Sequence, residues 1–290
     1  MGILLGLLTA LSWGGADFLA RFAAHRIGAL RTMFYMQLIG FLLLSIFLPS
    51  LGGWGHLADG SGWQPWGWGI LAGAFNGCGT LALYRSFEIG KLSVVAPISA
   101  SYPALTLLLS WFSGDHLTLV RIAGIFFTLL GVIVVAGGEK APDNTESEPG
   151  QGSRKGIGWA ICAAVGFGFL FWLLGIRVVP RTGPAPAVWL IRFTSSVIAA
   201  ATLLFGRQRM ALPRGNLRWM ALGMGAMDTG AFVLSNYGMQ LEQVAVISVL
   251  GSLYGAVTVG LAAMFLREKI SRSQGFGIVA IFAGIVLIGR

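Results

Sequence analysis

Apolar residues run through this chain in long blocks, not at the spacing of three and four that marks one face of a soluble helix. A bilayer core is crossed by about 20 mostly apolar residues. Blocks of that kind fall at about 3–22, 32–51, 66–87, 92–112 and 118–137. A second set falls at about 157–178, 185–206, 216–238, 243–265 and 272–289. The pattern predicts an all-α integral membrane protein with ten transmembrane helices. The one long polar stretch is GGEKAPDNTESEPGQGSRK, Gly137 to Lys155, whose Pro, Gly, Ser and acidic residues fit a solvated linker. It divides the chain into a five-helix unit over 1–137, a linker over 138–155 and a second five-helix unit over 156–290. The opening MGILLGLLTALSWGG lacks the charged leader of a signal peptide and reads as the first span.

The two units repeat one another. A shift of about 152 residues lays Gly6 on Gly158 and Gly73-Ala74 on Gly225-Ala226. The same shift lays SYPALT (101–106) on LYGAVT (253–258), and a one-residue slip brings Gly124 to Gly277 and Gly131 to Gly284. Five spans per unit is an odd number, so the halves enter the membrane from opposite sides. This is an inverted-topology repeat, an arrangement that places binding sites near the midplane where the halves meet.

Composition agrees: 56% of the residues are hydrophobic and 11% charged, against about 25% charged in a globular domain. The net charge of +9 raises the question of a nucleic-acid partner. Its placement answers against one, because the basic residues sit in short loops between apolar blocks. Fifteen of the twenty Lys and Arg lie in loops after odd-numbered spans, four on the other side, and Arg192 inside a span. By the positive-inside rule the basic side is cytoplasmic and both termini lie outside. Trp54, Trp63, Trp66 and Trp68 crowd the second loop as an interfacial belt would. Cys78 and Cys162 lie in apolar segments and imply no disulfide framework. His25, His56 and His116 fall in three separate loops, so no metal site and no cofactor is expected. No P-loop, HExxH or nucleophile-elbow motif occurs.

A charge inside a span costs at least about 2.5–3.5 kcal/mol on insertion scales and so faces a cavity or a partner. Asp228 lies near the middle of the eighth span and pairs, under the repeat, with Asn76 in the third. It reads as a coupling group or a ligand for a substrate amine, or as a structurally satisfied carboxylate. Arg192 in the seventh span is a candidate counter-charge for it. Asp17 and Arg21, at i and i+4, suit a local ion pair, or else a gate or coupling site. Trp13, Tyr84, Ser99, Tyr102, Asn236 and Tyr254 complete the candidate cavity wall, although small residues such as Ser99 equally serve close helix packing. Glu88, aligned with Gln240, reads as a cap. Pro97 and Pro103 each remove a backbone donor within the fourth span, with Ser99 and Ser101 at hand to bond the freed carbonyls. The second half has Val249 and Gly255 in their places. A bend stronger in the fourth span than in the ninth follows, and Pro97, Pro103 and Gly255 become gating candidates.

SWGG (12–15), SYPALT (101–106), FLREKISRSQGFG (265–277), GVIVVAGG and GIVLIG resemble the drug/metabolite transporter superfamily, in particular its EamA-like members with two five-span repeats. Asp115 in SGDHLTLVRIAG (113–124) stands where Glu268 stands in the second half. Many relatives have cytoplasmic termini, the reverse of the charge count here. The resemblance implies a secondary transporter for a small organic metabolite or drug, working by alternating access, in the exporting direction, with proton coupling open. Such a protein sits in the plasma membrane, a bacterial inner membrane, as a monomer or dimer, its partners being a small-molecule substrate and the lipid bilayer. An integral membrane enzyme acting on a lipid-linked substrate needs clustered polar groups near one face, and a channel needs a filter or charge ring. The sequence shows neither.

Overall fold

A computed structural model describes residues 1–114, 116, 118–137, 156–207, 212–241, 244–268 and 270–289. The linker over 138–155 and Asp115 lie outside them. Among the described residues the fold is helical throughout, with no strand. Helices α1 (Gly2–Ile27), α2 (Ala29–Phe47), α3 (Gln64–Ile89), α4 (Leu92–Ser99), α5 (Tyr102–Phe112) and α6 (Leu119–Gly137) form the first half. The second half holds α7 (Ile157–Leu173), α8 (Val179–Thr182), α9 (Pro184–Phe205), α10 (Asn216–Leu241), α11 (Val244–Ser252), α12 (Tyr254–Leu261) and α13 (Arg272–Ile288).

Every one of the ten expected blocks is helical, but seven stretches are both long and apolar enough to cross a membrane: Gly2–Ile27, Ala29–Leu51, Leu92–Phe112, Leu119–Ala136, Ile157–Thr182, Pro184–Phe205 and Val246–Leu266. By length and apolarity alone, seven of the ten expected spans qualify among the described residues. The other three are α3, α10 and α13. Helix α3 carries Asn76, Arg85 and Glu88, and α10 carries Asp228, Asn236 and Gln240, which dilute their hydropathy. Helix α13 has 17 residues.

Local chemistry sets the helix ends. Gly28 (φ +83°) alone separates α1 from α2, and Gly183 (φ +85°) separates α8 from α9. Both adopt a backbone conformation that side-chain-bearing residues avoid. Helix α13 opens with a capping box, in which Gln274 N donates to Ser271 Oγ at 3.2 Å and Ser271 N to Gln274 Oε1 at 3.1 Å.

The helices pair antiparallel across the halves. Thr9 Oγ1 donates to Ala231 O at 3.3 Å and Leu19 lies against Gly223, so α1 runs against α10. Phe75 stacks on Phe169 and Gly90 meets Gly156, so α3 runs against α7. The two pairs exchange under the 152-residue shift. Gly124 approaches Gly284 while Gly131 approaches Gly277, so the α6–α13 crossing maps onto itself under the one-residue slip.

The molecule is apolar on its surface and keeps polar side chains within its apolar interior. Ile46, Phe126, Ile133, Phe205, Phe276 and Val279 are exposed, whereas Gln37, Asn76, Arg192, Asn236 and Ser252 are buried. Lipid tails reward that inversion; water would not.

The fourth span breaks at Ala100–Ser101, between α4 and α5, and the ninth breaks at Leu253, between α11 and α12. The interruption is two residues long in the fourth span and one in the ninth, and the ninth is interrupted with no proline beside it. Ser101 Oγ donates to Ile98 O at 2.7 Å at the first break, and Ser252 Oγ to Val249 O at 2.8 Å at the second. Hydroxyls bond the loosened carbonyls in each case. Gly255 has a packing reason of its own: a Cβ there would lie 2.7 Å from Ala100 Cβ, where α12 crosses the break in the fourth span.

Candidate functional site

Helices from both halves leave one narrow cavity at the centre. Its charged wall is Asp17 on α1 and Asp228 on α10. Its rings are Trp13, Tyr84, Tyr102, Phe167, Phe171, Phe232 and Tyr254, and Met36, Thr80 and Leu83 fill the rest. Trp13 packs edge-on against Phe232 at 5.0 Å and Phe171 at 5.7 Å, and Tyr102 stacks on Phe171 at 4.7 Å. Edge-to-face and offset contacts of this kind fix ring positions beyond simple area burial.

Asp228 is not free. Arg192, fully buried, forms an ion pair with it. The guanidinium also donates from Nη1 to Gln37 Oε1 at 2.7 Å and lies over the Phe232 ring, 4.9 Å from its centroid. Attraction between the two charges, the bond to Gln37 and the ring face together offset part of the cost of burying the pair.

Asp17 differs. The local pair expected with Arg21 does not form. Arg21 Nη1 donates instead to Gly90 O at 2.6 Å, and Nη2 stands 4.0 Å from Glu268 Oε1. Gly90 follows the last turn of α3, so its carbonyl is one of the acceptors a helix end leaves unbonded. A long side chain near a span end reaches for such partners at the interface. Asp17, 6% exposed, is left facing the cavity with no hydrogen bond or ion pair among the described residues.

The same end of the molecule holds two carboxylates at helix starts. Glu268 accepts from Leu92 N at 3.2 Å and from Ser93 N at 2.8 Å and Ser93 Oγ at 2.6 Å, capping α4 from the other half of the chain. Glu88 accepts from Ala29 N at 3.2 Å at the start of α2 and pairs with Arg85 at 2.8 Å. Carboxylates at helix N-termini are favoured by the helix dipole. Together with Arg21 they tie the loops after the first, third and ninth spans into a closed end. Along α1, Asp17 lies one turn from that end's Arg21, and Trp13 one turn further away.

Of the expected wall residues, Trp13, Tyr84, Tyr102, Asp228 and Tyr254 line the cavity. Asn76, Ser99 and Asn236 sit behind it. Asn76 Nδ2 donates to Ser195 Oγ at 3.0 Å, Ser99 Oγ meets the Tyr254 hydroxyl at 3.0 Å, and Asn236 Nδ2 donates to Pro184 O at 3.0 Å. Each amide is spent on holding two helices together. Pro97 and Pro103 flank the break in the fourth span. A second cavity is lined by Pro103, Thr106, Ser110, Arg121, Val244 and Ser248. Tyr102 stands between the two, its hydroxyl donating to Ser248 O at 3.0 Å. Sequence reasoning missed Gln37, Phe167, Phe171 and Phe232. A glutamine in the middle of MFYMQLIG was a visible signal; three phenylalanines in apolar spans carried none.

Apolar surface, buried charge and a central cavity between opposed helices are the build of a multi-pass membrane protein. The chain belongs to the EamA-like transporter family, whose sequence pattern matches residues 1–137 and again 154–290. It is 24% identical over 236 residues to the uncharacterized transporter sll1319 of Synechocystis, covering 78% of this chain and 66% of that one. It is 28% identical over 208 residues to the uncharacterized transporter YxxF of Bacillus subtilis, covering 71% and 64%. The chain thus spans just under two thirds of the length of those two relatives. An uncharacterized protein of Methanocaldococcus jannaschii, MJ1333.1, is 29% identical over 135 residues, which is 95% of that protein and 46% of this one. That relative is about as long as each of the two matched regions of this chain. A solved crystal structure superposes with a TM-score of 0.71 at 17% identity, covering 99% of this chain and 95% of that one, and shows the same fold.

Proposed function

We propose that this protein is a secondary transporter that moves a small organic metabolite or drug by alternating access. Its framework is then ten spans in two inverted five-helix repeats, 1–137 and 156–290, with the basic end cytoplasmic and both termini outside the plasma membrane. The observation that carries the reading is the central cavity, lined from both halves and holding a carboxylate with no partner among the described residues. Burying such a group costs stability unless function repays it. The Arg21–Gly90–Glu268 contacts lie one turn of α1 beyond Asp17 at the basic end, and Trp13, Phe171, Phe232 and Tyr102 wall the cavity on the other side. Export is the direction we assign, on the family resemblance, and a cavity carboxylate supplies a group for proton coupling.

Purified protein in liposomes tests this. Radiolabelled organic amines, neutral alcohols and carboxylates are offered outside, with the unlabelled solute inside. A carrier gives saturable uptake of at least one class, accelerated several-fold by solute on the opposite side. Flux that never saturates indicates a channel, and chemical conversion without net movement indicates an enzyme; either contradicts the proposal.

A further inference from the structure

The cavity's own charges identify what it lacks. Two carboxylates, Asp17 and Asp228, line it, and one cation, Arg192, neutralises one of them. Arg21, the next cation along α1, is held at Gly90 O and beside Glu268, one turn away. Among the described residues, the cavity thus has one carboxylate more than it has cations to pair with, in surroundings that screen charge poorly.

Arg192 also shows how this site treats a cation. Its guanidinium is paired to a carboxylate and laid over an aromatic face, Phe232. Asp17 offers the same combination with the cation missing. Trp13 sits one turn from Asp17 on the same helix, Tyr254 packs against Trp13 at 6.2 Å, and Tyr84 closes the same cavity. Ring faces attract amines and guanidinium groups through their quadrupoles, most strongly where water is excluded. Apolar rings alone would accept any hydrophobic solute. A buried carboxylate with no partner among the described residues selects by charge, because it repels anions and gains more from a cation than from a neutral donor.

The geometry points to an organic monocation, an amine or guanidinium on an aromatic or apolar body, as the substrate class of this cavity, with Asp17 as its ligand and Trp13, Tyr84 and Tyr254 as its walls. The inference rests on the carrier reading above. The cavity is narrow, so its walls part to admit the solute.

The test uses one ring system in three charge states: tryptamine, the neutral alcohol tryptophol and the anion indole-3-acetate. Each is titrated into full-length protein in detergent micelles by calorimetry at neutral pH. Tryptamine is expected to bind at least tenfold more tightly than tryptophol, and indole-3-acetate not to bind. Asp17→Asn is expected to abolish that tenfold preference, and Asp17→Glu to restore part of it. Equal affinity for tryptamine and tryptophol in the unaltered protein overturns the inference without any variant, so a poorly folding Asp17→Asn does not protect it. An undiminished preference in folded Asp17→Asn overturns the role of Asp17. The two readings fail separately. Saturable exchange of a carboxylate with no tryptamine binding keeps the carrier and removes the cation site. Tryptamine binding without any flux in liposomes does the opposite.

Discussion

Replacing Arg192 with leucine is expected to cost about 3–5 kcal/mol of stability, the range for removing one partner of a buried ion pair. The side chain is fully buried and engages three groups at once: the Asp228 carboxylate, Gln37 Oε1 and the face of Phe232. Leucine leaves Asp228 charged with no counter-ion in an apolar interior, and leaves Gln37 without its donor. The double variant Arg192→Met with Asp228→Asn removes both charges and is expected to recover most of the loss, because the penalty lies in the stranded charge and not in the missing attraction. Thermal unfolding in detergent, followed by size-exclusion chromatography, separates the cases. An Arg192→Leu protein as stable as the parent would contradict the structural role of the pair. A double variant no better than the single would place the loss in packing.

The second large effect is expected at the α6–α13 crossing. A Cβ at Gly131 would stand 2.6 Å from Gly277 O and 2.7 Å from Ile281 N. Both are backbone atoms, which cannot swing aside as a flexible side chain would. Gly131→Leu is therefore expected to lose stability at or above the upper end of the roughly 1–3 kcal/mol typical of overpacking. Trimming Ile281 to alanine in the same chain is expected to rescue little, since the obstruction is the chain itself. Gly158→Leu makes the matched control, because nothing lies within 4 Å of a Cβ there. It is expected to unfold at the parent's temperature. A tolerated Gly131→Leu would mean that α6 and α13 do not approach as described.

What could be read from the sequence follows from what the membrane demands. Crossing a bilayer requires long apolar blocks, so helix positions were visible to within a few residues, from Gly2–Ile27 to Arg272–Ile288. The repeat was visible because the glycines of close crossings, Gly124, Gly131, Gly277 and Gly284, must keep their spacing. Pairing between charges was harder. Asp17 and Arg21 satisfy the i, i+4 rule for a helical ion pair, yet that rule knows nothing of Gly90 O or Glu268, which belong to other segments and win Arg21. Glu268 capping α4 from the other half is a contact between residues some 175 positions apart, which no local pattern encodes. Proline was a misleading sign for the break in the fourth span, because the ninth breaks at Leu253 with no proline and the same hydroxyl-to-carbonyl bond. Phe171 and Phe232, which wall the cavity, are the same letter as Phe126, which faces outward.

Access to the cavity from both faces is the central claim, and one labelling experiment tests it most directly. Thr80 lines the cavity and is buried, and the two native thiols, Cys78 and Cys162, are exposed and free. In a Cys78→Ser, Cys162→Ser background, Thr80→Cys is treated with a membrane-impermeant thiosulfonate in right-side-out and in inverted vesicles. The account predicts labelling in both preparations, slowed in each by a solute the protein carries. Labelling from one face only, or from neither, would contradict it.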